Sequence, residues 1–470
     1  MNDPALTEQP MIENRTFDEI RLGDSASLSH TLSEQDIQVF AAVSGDINPA
    51  HMDPDYAAGS RFHHIIAHGM WGGGLISAVL GTRLPGPGTI YLGQSLRFLH
   101  PVVPGDTVQA TVTVAEKRAE HEIVLLDCAC TNQRGEIVIE GRAEVKAPKE
   151  KIRRPRVDMP DVSVMAHDGY RHVMEHAKQG APLPTAVAHP CTPATLTAAL
   201  EAAEAGLILP ILVGPPARIQ AAAIEAGLDI SPYRLVASAH SHDSAAQAVA
   251  LVRAGEACLL MKGSLHTDEL MGAVVAHNGG LRTQRRISHA YVMDVPRHPS
   301  PLIITDAAIN ITPSLAEKAD IIRNAIGLAQ VLGMAEPKVA ILAAVEVVNP
   351  EMPSTLDAAA LCKMAQRGQI TGGLLDGPLA LDNAISIAAA AEKGIVSPVA
   401  GQADILVVPD LEAGNMLAKQ LTFLGGADAA GIVLGAQVPI ILTSRADSLR
   451  TRLASCAVAV LMARAKVSAQ

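Results

Sequence analysis

Two regions of the chain hold side chains whose types and spacing suit chemistry. The first is SGDINPAHMDPDYAAGSRFHHIIAHGM, residues 44–70. Asp46 and His51 stand on either side of a turn that Pro49 enforces. A carboxylate and an imidazole this close can grip one water, take its proton and return one to carbon. His68-Gly69-Met70 then opens an apolar stretch that reads as a helix. First-turn amides of a helix are unpaired and carry partial positive charge. The Gly69 amide can therefore polarise a carbonyl oxygen, and the missing side chain lets a ligand approach the backbone. A structural reading stands beside this one, with Asp46 capping a turn and His51 held inside the fold. Residue types alone leave both open. The second region comprises LLMKGSLHTDELMGA, residues 259–273, and VPIILTSRADS, residues 438–448. Lys262-Gly263-Ser264 joins a strand to a helix, a setting that attracts anions. Ser444-Arg445 follows an apolar strand and opens the last helix. The Arg445 guanidinium suits a phosphate, and Ser444 suits either a ligand contact or a helix N-cap.

The elements that must position these groups change character along the chain. Up to about residue 147 the order is helices, then strands. Ser33 and Asp36 make a capping box ahead of Ile37, Phe40 and Ala41. Gly69 to about Leu80 is apolar all round, which predicts a buried helix. Four alternating segments follow, Thr89–Val102, Thr107–Arg118, Glu122–Asn132 and Ile137–Val145. They predict an antiparallel sheet wrapped around that helix. Residues 148–164 read as an exposed linker, its start overlapped by the basic, proline-bearing run KAPKEKIRRPR at 146–156. From 165 to 470 short apolar strands alternate with alanine-rich helices, which predicts a largely parallel sheet covered by helices. Ligands in such folds sit at the carboxyl ends of strands. That directs attention to His189, Gly214, Lys262, Asp306, Asp410 and Ser444.

Composition removes several function classes. The chain has 470 residues, a net charge of -11 and only 2% aromatics. So few rings leave no platform for stacking bases, and the acidic balance argues against a nucleic-acid surface. Residues 1–150 carry a net charge of -9 and the remainder -2, a contrast expected of two joined domains. The six cysteines are scattered, except for Cys128 and Cys130 on one face of a strand. This predicts reduced thiols and a cytosolic protein. The longest apolar runs are far short of the roughly 20 residues that span a bilayer. The polar N-terminus does not read as a signal peptide, and no metal-binding CxxC or HExxH occurs.

The motifs SGDINPAHMDPDYA, HGM and GTIYLGQSLRFLHPVVPGD closely resemble the (R)-specific enoyl-CoA hydratases, MaoC-like members of the hot-dog fold. The resemblance covers about residues 17–147. It implies a dimeric α+β domain, 15–147, that adds water to a trans-2-enoyl-CoA without a metal. Asp46 would be the base on water, and His51 would orient it and share the proton. Asn48 would hold the loop, Gly69 would donate to the oxyanion, and Ser77 would lie near the site. His63, His64 and His68 would be loop and pocket lining. MKGSLHTDELMGAVV, RRISHAYVMDVP, PLIITDAAINITP, PDLEAGNMLAKQLTFLGGADAAG and PIILTSRADS resemble the phosphate acetyl/butyryltransferases over about residues 185–468. This implies an α/β domain moving an acyl group between CoA and phosphate with no cofactor. Ser444 and Arg445 would hold the thioester or phosphate. Lys262, Asp306, Gly414 and Asn415 would line the substrate site. One departure stands out: acetyl-type members carry an acid where this chain has Thr451, with Asp447 the nearer carboxylate that could stand in for it. Together the resemblances imply a homo-oligomer built from dimers, with acyl-CoA, enoyl-CoA and phosphate as ligands. The alternative is a hydratase whose second domain only binds CoA or holds the assembly together.

Overall fold

The structure, a computed structural model, describes residues 10–157, 162, 169–296, 298, 300–442 and 447–468. The chain divides into two compact units, Met1–Val164 and Met165–Gln470.

The first unit opens with strands β1 (Met11–Glu13) and β2 (Ser25–Thr31), followed by helix α1 (Glu34–Ser44). The α1 cap forms as its residues dictate. Ser33 Oγ accepts the Asp36 amide at 3.1 Å, and the Asp36 carboxylate accepts the Ser33 amide at 2.8 Å. Two short helices, α2 (Pro49–Met52) and α3 (Pro54–Gly59), lead to α4 (Gly69–Thr82). Four long strands follow, β3 (Ile90–Phe98), β4 (Thr107–Arg118), β5 (Ile123–Thr131) and β6 (Ile137–Lys146), and then the short β7 (Arg153–Pro155). The antiparallel sheet has the order β2-β4-β5-β6-β3. Helix α4 lies on it with Ile76 and Val79 fully buried. A Cβ on Gly72 would stand 2.3 Å from Ile139 Cδ1, the end of a side chain that would have to turn aside to admit it. Cys128 and Cys130 are buried together, and burial pushes their thiols up to about 11 and about 12.

The basic stretch after β6 differs from a free linker. β7 pairs antiparallel with β1, and Lys151 Nζ reaches Asn14 O at 2.6 Å and Glu19 Oε2 at 3.0 Å. The Asn14 side chain accepts the Ile152 amide at 2.9 Å. These backbone pairings and the ion pair fold residues up to about 157 onto the first unit.

The second unit begins with α5 (Gly169–Ala177), β8 (Leu183–Ala188), α6 (Pro193–Glu204), β9 (Ile208–Gly214), α7 (Pro216–Ala226) and β10 (Arg234–Ala237). It continues through α8 (Ser241–Arg253), β11 (Leu259–Lys262), α9 (Thr267–Val275) and the pair β12 (Ser288–Asp294) and β13 (Leu302–Thr305). Next come α10 (Leu315–Val331), β14 (Lys338–Leu342), α11 (Pro353–Gln366), β15 (Leu374–Leu379), and the short α12 (Leu381–Ile385) and α13 (Ile387–Glu392). The unit closes with β16 (Ile405–Val407), α14 (Leu411–Phe423), β17 (Asp428–Leu434), β18 (Ile440–Ile441) and α15 (Leu449–Ser468). Among the described residues one sheet runs β10-β9-β8-β11-β18-β17-β12-β13-β16-β14-β15. Its core is aliphatic, with small side chains such as Ala457 and Ala459 letting α15 pack closely.

The direction of the strands matters for the site. β10, β9, β8, β11 and β18 are mutually parallel, and so are β13, β16, β14 and β15. Between them β18–β17, β17–β12 and β12–β13 are antiparallel. Three reversals turn the second group against the first. The carboxyl ends of the two groups therefore open on opposite edges of the sheet.

Candidate active sites

In the first unit the chain from α1 to α4 builds one cavity of about 790 Å³. Phe40, Ile66, Met70, Trp71, Phe98 and Ile139 supply apolar wall, and Asp46, His51 and His68 supply the polar groups. Ligand atoms of these three converge within 4.8 Å of one another. Asp46 is exposed on the loop after α1, and its Oδ1 accepts the Asn48 amide at 3.2 Å. Asn48 in turn caps α2 by accepting the Ala50 amide at 3.1 Å. His51 Nδ1 stands 2.8 Å from the Ile66 carbonyl oxygen. A carbonyl can only accept, so Nδ1 carries the proton and the neutral ring presents an unprotonated Nε2. The same logic orients His68, whose Nε2 donates to Asp46 O at 2.9 Å. His68 is buried, and among the described residues its Nδ1 has no hydrogen-bond partner. The His51 and His68 rings lie 4.0 Å apart between centroids. Gly69 begins α4 and lines the cavity, placing a first-turn amide in its wall.

The structure thus brings Asp46, His51 and Gly69 to one cavity, with Asn48 behind the loop. Ser77 is exposed further along α4 and is not a lining residue. His68 lines the cavity, whereas His63 and His64 do not. Arg61 lines it as well, its guanidinium 4.6 Å from the Phe62 ring centroid. Sequence reasoning missed Arg61, because a lone arginine in a loop carries no spacing signal.

In the second unit the expected substrate residues separate. Lys262 ends β11 on one edge of the sheet, and β18 ends beside it, since Met261 pairs with Ile441. Ser444 and Arg445 come next in the chain and lie outside the described residues. The turn after Lys262 is bound to the turn after β8. Gly263 and Ser264 amides donate to Ala188 O and His189 O, both at 2.9 Å, and Ser264 Oγ donates to His189 O at 2.8 Å. A Cβ on Gly263 would lie 2.3 Å from Ala188 O. These amides are therefore engaged by the backbone. The N-terminus of α9 is also occupied, with Glu269 accepting the His266 amide at 2.7 Å. At the same edge His189 Nδ1 meets Ser244 Oγ at 2.8 Å, and burial followed by the nearby Arg218 lowers the His189 pKa.

Asp306, Gly414 and Asn415 meet at the opposite edge. Asp306 is buried, with Oδ1 accepting the Ala308 and Ile309 amides, both at 2.9 Å. Its Oδ2 accepts the His289 amide at 3.1 Å and Asn310 Nδ2 at 2.5 Å. In this structure it holds its own turn. Gly414 packs on Val408 and the Asp306 carbonyl, and Asn415 Nδ2 donates to Ala307 O at 3.2 Å. Asp410 caps α14 by accepting the Ala413 amide at 2.8 Å. Thr451, in the first turn of α15, donates to Asp428 Oδ1 at 3.1 Å. Arg450 bridges Asp294 Oδ2 at 3.1 Å and Asp428 Oδ2 at 3.3 Å.

Among the described residues no helix is long and apolar enough to cross a membrane. The phosphate acetyl/butaryl transferase family matches residues 235–460, and the MaoC-like domain family matches residues 22–128. A phosphate acetyltransferase of Rhizobium meliloti is 64% identical over 301 residues, covering 64% of this chain and 95% of that protein. Among solved structures, a branched-chain phosphotransacylase from Enterococcus faecalis V583 is 31% identical. That match has a TM-score of 0.53 and covers 60% of this chain and 99% of that one. An R-hydratase from Pseudomonas aeruginosa, in its unliganded form, is 44% identical over 33% of this chain and 99% of its own, with a TM-score of 0.32. The chain belongs to the phosphate acetyl/butyryltransferase family and carries a MaoC-like hot-dog domain ahead of its transferase domain.

Proposed function

We propose that the protein is a bifunctional enzyme acting on CoA thioesters. Its first unit hydrates a trans-2-enoyl-CoA to the (R)-3-hydroxyacyl-CoA, and its second transfers an acetyl or butyryl group between CoA and phosphate. The observation that carries the first activity is the pair of proton acceptors, Asp46 and His51 Nε2, facing one apolar cavity. Two acceptors can each take one O–H of a single water. As its oxygen adds to C3, one proton passes to Asp46 and is then returned to C2. The Gly69 amide meets the charge that develops on the thioester oxygen. No metal enters this scheme, and the second activity needs no organic cofactor.

The second activity is supported by membership of the transferase family. The carboxylate that the fold brings to Thr451 is Asp428, so the thiol proton of CoA would pass to Thr451 as Thr451 hands its own to Asp428. Ser444 and Arg445 would hold the thioester or phosphate, with Lys262 adding charge at that edge. Asp306, Gly414 and Asn415 would shape the opposite edge. Exposed Ile90, Tyr91 and Leu92 on the edge strand β3 favour a homo-oligomer. The six unpaired cysteines fit a cytoplasmic protein. Thr451 in place of an acid favours the second reading, a hydratase joined to a CoA-binding scaffold.

A paired assay on the full chain separates them. It follows crotonyl-CoA hydration and phosphate-dependent release of CoA from acetyl- or butyryl-CoA. Both activities are expected, the second falling in Arg445→Ala and in Asp428→Asn. Hydration alone supports the scaffold reading, and absence of hydration removes the proposed dyad.

A further inference from the structure

The loop before β12 carries three cations in five residues, Arg282, Arg285 and Arg286, in a unit where 26 Asp and Glu outnumber 22 Lys and Arg. Arg286 is neutralised, pairing with Glu317 Oε1 at 2.9 Å and donating to Asn310 Oδ1 at 2.7 Å. The nearby acids are engaged as well. Asp320 accepts Arg323 NH1 at 2.7 Å and the Arg286 amide at 3.0 Å, and Glu317 also accepts the Ser314 amide at 2.8 Å. Among the described residues no carboxylate oxygen lies within 4.0 Å of a charged nitrogen of Arg282, Arg285 or Lys466. Arg285 and Lys466 line one cavity of about 480 Å³, which also meets Asn324 and Gly435.

Both cations are tied to a single turn, the one joining β17 to β18. Lys466 Nζ donates to Ala436 O at 2.8 Å and Gln437 O at 3.4 Å, which leaves an ammonium proton for a ligand. Thr283 Oγ1 donates to Gly435 O at 2.6 Å and accepts the Arg285 amide at 3.1 Å, fixing the base of the arginine. Gly435 has φ +84°, and a Cβ there would stand 2.4 Å from Arg286 O, so the turn and the loop are closely packed. Burial and the charge of Arg285 both lower the Lys466 pKa, the mark of two cations repelling across a shared space. An anion between them removes that repulsion. Among the described residues the cavity has no aromatic lining on which a base could stack, and its size suits a small ligand. It opens where β17 ends and β12 and β18 begin, on the sheet edge opposite Lys262.

We propose that Arg285 and Lys466 form a binding site for a compact phosphorylated anion, separate from the acyl-transfer site. The inference rests on this cavity and stands whether or not the transferase reading holds. Inorganic pyrophosphate is the probe, titrated calorimetrically into the full chain at fixed ionic strength. Arg285→Gln and Lys466→Gln should each weaken binding by about tenfold or more, the range expected when one charged hydrogen-bond partner is lost. Lys466→Arg, which keeps the charge, should retain it, and so should Arg445→Ala. Absence of binding to the unmodified chain overturns the proposal. So does unchanged affinity in the double variant, or loss of binding in Arg445→Ala, which would assign the anion to the transferase edge. If Lys466→Gln does not fold, Arg285→Gln decides alone, because among the described residues the Arg285 side chain has no acidic partner whose loss would disturb the fold.

Discussion

The Asp46–His51 pair offers a perturbation whose size follows from its geometry. Asp46 is exposed, and the bond its side chain makes to the loop is from the Asn48 amide to Oδ1. Asp46→Asn keeps an oxygen for that bond, so stability should move by less than about 0.5 kcal/mol. It replaces the proton acceptor on the water with an amide. Loss of a positioned base costs roughly 10²- to 10⁴-fold in kcat, or about 2.7–5.4 kcal/mol at about 1.36 kcal/mol per decade. The KM for crotonyl-CoA should stay within about threefold, because the cavity wall and the Gly69 amide are untouched. His51→Asn is the companion. Its amide NH2 can take the place of Nδ1 in donating to Ile66 O, holding the loop, while the acceptor at Nε2 disappears. A fall of roughly 10²-fold or more is expected there too. If both side chains hold one water, the double variant should be little worse than the more damaging single one. The assay is the absorbance loss of crotonyl-CoA, with acyl transfer by the second unit as control within the same chain. A loss under about tenfold in Asp46→Asn would refute the base assignment. Parallel loss of both activities would show a folding defect instead. Strictly additive losses would show that the two residues do not share a water.

Three further outcomes are expected. Gly263→Ala sets a Cβ 2.3 Å from Ala188 O and must shift the turn beside Lys262; phosphate-dependent CoA release should fall by roughly 10²-fold while hydration persists. Gly141→Ala sets a Cβ 1.9 Å from Ser95 O, forcing β3 away from β6. A loss of about 3 kcal/mol should lower the melting transition of the first unit by roughly 6–12 °C, read by calorimetry. Glu317 is held below its ordinary carboxylate value, first by the Ser314 amide and then by the Ser314 hydroxyl, with Arg286 adding to it. Its contribution is complete above pH about 4.5 and is lost as the pH falls through its lowered value, so Glu317→Gln should flatten the acid limb of stability against pH in melts of the second unit.

Much of the first unit is legible in the sequence because its constraints are local. The α1 cap needs only Ser33 and Asp36, and strict alternation marks β4, β5 and β6 to within a residue or two. β2, SASLSHT, is hard to read because its apolar alternation is confined to Ala26 and Leu28, both only partly buried on a sheet edge. The tautomer of His51 was equally invisible, because its anchor, Ile66 O, is a backbone atom fifteen residues away. In the second unit strand–helix alternation identified the class of fold.

The rule that ligands gather at carboxyl ends places them on one edge only when all strands run one way. Short connections reverse β12 to β13 and β17 to β18, and β12 meets the much later β17 antiparallel, which makes three reversals; a short apolar strand carries no mark of its direction. Lys262 and Asp306 therefore end their strands on opposite edges, although both satisfy the rule within their own half. The same reversals explain why the cavity of Arg285 and Lys466 lies away from the Lys262 turn. The edge that receives the starts of β12 and β18 receives the loop before each as well; the first loop carries Arg285, and the second accepts Lys466 of α15 through Ala436 O and Gln437 O.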